Sequence, residues 1–66
     1  MRIDRVKFAA ALARKDVTVK RLAEIAGISR LTVSNVKCGK TCSDTTGQAI
    51  ARALGVDVTE IMEVER

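Results

Sequence analysis

The sequence predicts an all-α domain of five short helices, and three observations carry that prediction. Apolar residues make up 47% of the chain and are mostly Ala, Val, Ile and Leu, with Phe8 the lone aromatic and no proline. Such a composition favours packed helices over disorder. Residues that cap helices well, Asp4, Thr18, Ser29, Ser43 and Asp57, precede the apolar stretches, and their side-chain oxygens can accept from the free amides of a first turn. Glycines follow three of these stretches, at 27, 39 and 55, where a helix end often takes a positive φ that costs other residues about 1 kcal/mol or more. A chain of 66 residues reads as one domain, 1–66. It removes only about 60% of its unfolded surface from water, which leaves no room for a deep catalytic cavity.

The first helix is expected from Ile3 or Asp4 to Lys15. Asp4 serves as cap or first-turn acid, and Arg14 with Lys15 suit the negative C-terminal end. Its middle, FAAALA, is too rich in alanine for periodicity to define a buried face, so the core pair is taken as Phe8 and Leu12 at i, i+4.

The second helix starts at the Thr18 cap and carries the apolar stripe Val19, Leu22, Ala23, Ile25 and Ala26 before Gly27 stops it. Ala23 is small enough to let the next helix cross closely over a short turn. Ser29 caps the third helix, which runs to Lys37 with Val33 and Val36 facing inward. Thr32, Val33 and Val36 are β-branched and Asn35 is a poor helix former, so this helix depends on packing for its shape. Arg30, Leu31, Ser34, Asn35 and Lys37 fall on its outward face, where packing gives them no task.

Gly39 ends that helix, and the loop KTCSDTTG leads to a fourth, capped by Ser43 with Asp44 in its first turn. Ile50, Ala51, Ala53 and Leu54 form its core face before Gly55. Gly47 inside it is unfavourable by about 1 kcal/mol against alanine, which fits a site of close approach. A capping box, Asp57 to Glu60, then opens a fifth helix through about Glu63.

Counted from Gly27, Leu22 lies five before, Ala23 four before, Ile28 one after, Val33 six after and Val36 nine after, which suits one corner of packed side chains. This is a helix-turn-helix signature, and it resembles the DNA-binding domains of the phage repressor and Cro (XRE-type) family. The leading helix, the later IARALGV and the closing VDVTEIM also resemble that family's pattern, so the likeness covers nearly all of the chain. It implies a five-helix, lambda-repressor-like fold with the helix-turn-helix at helices 2 and 3. It also implies double-stranded DNA as partner.

The positions matching base readout in the family are Arg30, Leu31, Ser34 and Asn35. Arg30 can donate to O6 and N7 of guanine, Asn35 can bridge N6 and N7 of adenine, and Leu31 can touch a thymine methyl. The expected DNA backbone contacts are Thr18, Lys20, Arg21, Ser29, Lys37, Lys40 and Ser43, from helix-start amides and positive charge. Two positions depart from the family. Val19 stands where relatives commonly place a phosphate-binding glutamine, and Leu12 with Lys37 occupy places where many relatives carry an ion pair. Relatives commonly dimerise through the C-terminal end. Here Val56, Val58, Ile61, Met62 and Val64 offer more apolar surface than a short helix usually buries, so they are the expected homodimer interface. Sealing the monomer core is the other use open to them.

Charge distribution agrees with a polyanionic partner. Residues 1–40 carry ten Lys or Arg against three acids, and residues 41–66 carry two against five, giving +7 and −3. No catalytic constellation emerges: there is no histidine and no Gly-rich phosphate loop. Cys38 and Cys42 are too few for a structural zinc site within one chain, so free thiols are expected, with a redox switch or a shared metal as alternatives. No cofactor, metal or small-molecule ligand is expected. The charged start MRIDRVKF argues against a signal peptide or membrane span and for a cytoplasmic protein.

The functional expectation is a sequence-specific DNA-binding transcriptional regulator, a repressor that acts as a homodimer. The alternative from another class is an antitoxin-like module that holds a partner protein. Nonspecific nucleic-acid binding is disfavoured by the lack of aromatic stacking residues.

Overall fold

Helix starts fall where the caps predict them. In a computed structural model describing residues 1–63, the helices are α1 (Arg5–Lys15), α2 (Val19–Ala26), α3 (Arg30–Lys37) and α4 (Asp44–Leu54), followed by a 3-10 turn, Val58–Glu60. The Asp4 carboxylate accepts from the N–H groups of Val6 at 2.9 Å and Lys7 at 3.0 Å. Thr18, Ser29 and Ser43 each accept at 3.1 Å from the N–H three residues on. At the other ends Gly27 has φ 72° and Gly55 φ 71°, and the N–H groups of Gly27 and Ile28 both return to the Ala23 carbonyl. Helix α1 stops without a glycine: Asp16 itself takes the left-handed conformation, φ 53°.

One core joins all of these elements. Phe8, Ala11 and Leu12 from α1 meet Leu22 and Ala23 from α2, Val33 and Val36 from α3, and Ile50, Ala51 and Leu54 from α4. Ile3 and Ile61 complete it from outside the helices. Helix α2 lies against both α3 and α4, and α1 backs α3 and α4. No polar or charged side chain is buried among the described residues, so no desolvated charge weakens this small core.

Three expectations need correction. Ile25 is 49% exposed; with Val19, Leu22, Ala23 and Ala26 defining the inward stripe, it falls at the stripe's edge and α2 is too short to wrap it. The segment at Ile3 is not helical. Arg2 pairs with Thr41 and Ile3 with Met62, each as an antiparallel bridge, so the first residues lie extended between the α3–α4 loop and the C-terminal segment. Cys42 N–H donates to the Met1 carbonyl at 2.8 Å, and Glu63 N–H to the Arg2 carbonyl at 2.8 Å.

The third correction is that the fifth helix shrinks to the three-residue 3-10 turn. Its capping box forms, with Glu60 accepting from the Asp57 N–H and Asp57 from the Thr59 N–H, both at 2.9 Å. Further winding is prevented because the Ile61 carbonyl accepts from Asp4 N–H at 2.8 Å and Met62 pairs with Ile3. Ile61 is consequently 1% exposed. It belongs to the monomer core and is unavailable as a dimer contact. Val56 and Val58 are partly buried against the same core, and Met62 is half-buried. Val64 lies outside the described residues.

Candidate nucleic-acid interface

Helix α3 is held by its inner face. Val33 is 0% and Val36 1% exposed, while Arg30 and Lys37 are exposed, Ser34 and Asn35 half-buried, and Leu31 is 71% exposed. None of the side chains of Arg30, Ser34, Asn35 or Lys37 makes a hydrogen bond or ion pair among the described residues. The polar groups of the outward face are therefore uncommitted. An exposed leucine in that row is an apolar contact surface of the kind a base methyl can meet.

Beside α3 runs an open groove lined by Leu12, Val17, Thr18, Val19, Lys20, Arg30, Ser34 and Lys37. Among the described residues three cations border it and no acid does. The N-terminus of α2 opens onto it. There the Thr18 hydroxyl satisfies the Arg21 N–H, and the preceding amides of Val19 and Lys20 have no partner within the helix. Helix dipole and side-chain charge thus act in one direction, toward an anion. Leu12 floors this groove and Lys37 remains at its rim, so the apolar and cationic residues at these two places share one site without an ion pair.

The other expected backbone residues divide. Lys40 is exposed, and its N–H donates to the Asn35 carbonyl at 3.0 Å, which ties the loop to the end of α3. Ser29 caps α3 and also lies 2.8 Å from the Thr32 hydroxyl. Arg21 is turned to Glu24 at 3.2 Å in an exposed pair, a weak engagement that a phosphate could displace. Ser43 donates its hydroxyl proton to Thr46 at 2.9 Å while accepting from the Thr46 N–H. Both contacts are exposed and local to the first turn of α4.

Two further residues lie near α3. Val17 is brought into the groove by the turn after Asp16, and the Arg5 stem lies across Gly39, with its Cδ 3.0 Å from where a Cβ would stand. Neither has a spacing signal, because both depend on contacts between segments far apart in the chain. The cysteines are free, Cys38 exposed and Cys42 half-buried. Burial pushes the Cys42 thiol up, the Met1 ammonium opposes this, and Asp44 adds to it. No cluster of three or more metal-ligating residues occurs among the described residues, and no described helix is long and apolar enough to cross a membrane.

Residues 7–66 match the Cro/C1-type HTH DNA-binding domain. The chain belongs to that family. This Cro/C1-type domain also resembles parts of larger solved structures. A mutant of hydroxyethylphosphonate dioxygenase superposes with TM-score 0.87 at 23% identity, over 100% of this chain and 14% of that one. PhpD with cadmium gives TM-score 0.84 at 23% identity, again over 100% and 14%. Streptomyces albus HEPD, with 2-hydroxyethylphosphonate and Fe(II) bound, gives TM-score 0.77 at 27% identity over 86% of this chain and 13% of that one. The Cro/C1-type domain thus spans about one-seventh of these chains, and the likeness is one of fold. No curated protein matches the sequence.

Proposed function

We propose that this Cro/C1-type domain is a sequence-specific transcriptional regulator, a repressor that inserts α3 into the major groove. The observation that carries this reading is the uncommitted outward face of α3 beside a groove whose only charged lining, among the described residues, is the cations Lys20, Arg30 and Lys37. Arg30, Leu31, Ser34 and Asn35 read base edges. Lys20, Lys37 and Lys40, with the amides behind Thr18 and Ser29, hold phosphates. The domain acts as a homodimer on a pseudo-palindromic site, with two α3 helices about 34 Å apart. Val56, Val58 and Met62 are the described residues available to such an interface.

Selection of bound duplexes from a random pool tests binding, symmetry and half-site spacing together. Salt titrations of the selected and scrambled duplexes then separate the roles. Arg30→Ala is expected to relax preference at one guanine at a cost of about 1–3 kcal/mol, while Lys40→Ala weakens all sequences alike and lowers the salt slope by about one. Recovery of no preferred duplex, together with tight capture of a partner protein, would favour the antitoxin-like reading.

A further inference from the structure

The arginines near the start of the chain are used differently. Arg2 is engaged twice, its Nε donating to the Gly39 carbonyl at 3.2 Å and lying 3.5 Å from the Glu63 carboxylate. Arg5 is held by its stem alone. Its Cδ, Cγ and Nε lie 3.0, 3.4 and 3.4 Å from where a Cβ on Gly39 would stand. The residue is exposed, and its guanidinium has no hydrogen-bond acceptor or ion-pair partner among the described residues. A long side chain with its stem located by packing and its charge unpaired has already lost part of the rotamer freedom that an exposed arginine must give up to bind.

Its location relative to α3 supplies the ligand. Gly39 lies just past the end of α3, with its N–H on the Val36 carbonyl at 3.0 Å, and the next N–H, from exposed Lys40, is on Asn35. Arg5 and Lys40 therefore sit beyond the C-terminal end of α3, Arg5 in a shallow cleft that it shares with Arg2, Asp4, Gly39 and Glu63, while Lys20, Arg30 and Lys37 line the groove along its side. A helix of eight residues is about 12 Å long, close to the ~12 Å width of the major groove. Cations at its end lie within reach of the phosphates that border the groove.

We infer that Arg5 is a phosphate-binding residue of the interface, positioned by Gly39, and that the DNA footprint extends onto the start of α1. The inference rests on the DNA-binding reading above. In salt titrations, Arg5→Ala lowers affinity equally on selected and scrambled duplexes and reduces the magnitude of the log–log slope by about 0.9. The wild-type to variant affinity ratio consequently grows roughly threefold between about 200 and about 50 mM salt. Arg5→Lys, which keeps a point charge, retains the slope. Unchanged affinity and slope in Arg5→Ala, with Arg30→Ala still altering base preference, would overturn the Arg5 assignment and leave the DNA-binding reading intact. Failure of the wild-type domain to bind any duplex would remove both.

Discussion

The Met1 side chain occupies the space that a Cβ on Gly47 would need, with its sulfur against the bare backbone of α4. Gly47 is buried inside that helix, so the missing side chain is a contact surface. The same first residue anchors its backbone on Cys42 through its ammonium, 2.7 Å from the Cys42 carbonyl. Helix propensity alone makes Gly47→Ala stabilising by about 1 kcal/mol. The atoms in the way are the far end of the flexible, half-buried Met1 side chain, which can swing aside at little cost. The expected outcome is a higher urea midpoint. A lower midpoint would show that Met1 is locked against α4 and that overpacking, worth about 1–3 kcal/mol, wins.

Asp16 ends α1 in the left-handed conformation at φ 53° and places an acid at the negative end of the helix. Asp16→Gly relieves both, and stability should rise by about 0.5–1 kcal/mol. Thermal unfolding monitored by circular dichroism measures it. No increase in midpoint would mean that the flexibility glycine adds to the unfolded chain cancels the gain.

Ala23 is 5% exposed where α2 crosses α3. A larger side chain there has no space, so Ala23→Leu should destabilise by about 1–3 kcal/mol. DNA affinity should fall with it, because α3 is held by this packing and its own residues are weak helix formers. Denaturant unfolding and duplex titration on the same preparation test the link. Full affinity in an unfolding-sensitive variant would separate the two.

The Asp57 carboxylate accepts from the Thr59 N–H at 2.9 Å and the Thr59 hydroxyl at 2.8 Å, and these bonds hold it below the ordinary aspartate range. A lowered folded value means that the contribution is present above the ordinary value and lost as pH falls through the lowered one. The Thr59 amide signal followed by NMR should titrate at that lower pH. In Asp57→Asn this transition should be absent. A Thr59 signal that moves at the ordinary aspartate value would exclude the bonds as its cause.

Much of the α3 site was legible because it is local. The cap at Ser29, the stop at Gly27 and the pair Val33 and Val36 define which side of α3 is buried, and they leave Arg30 and Leu31 outside by default. Lys20 joined the site through its place at the start of α2. Arg5 was not legible: nothing near it in the sequence mentions Gly39. Ile61 was assigned to the wrong surface for a related reason. An apolar residue after a capping box has the same local pattern whether it faces a second subunit or, as here, the Ile3 segment of its own chain.

Local chemistry in the sequence determined where helices begin, where most of them end and which of their faces are apolar, because caps, glycines and the 3.6-residue repeat act over a few residues. Tertiary structure alone decided that the first three residues lie extended, that the chain after Glu60 stops winding, and that Ile25 stays at the surface. These outcomes depend on hydrogen bonds and contacts between distant segments, such as Asp4 with Ile61 and Met1 with Cys42. Such pairings leave no periodic trace in either partner.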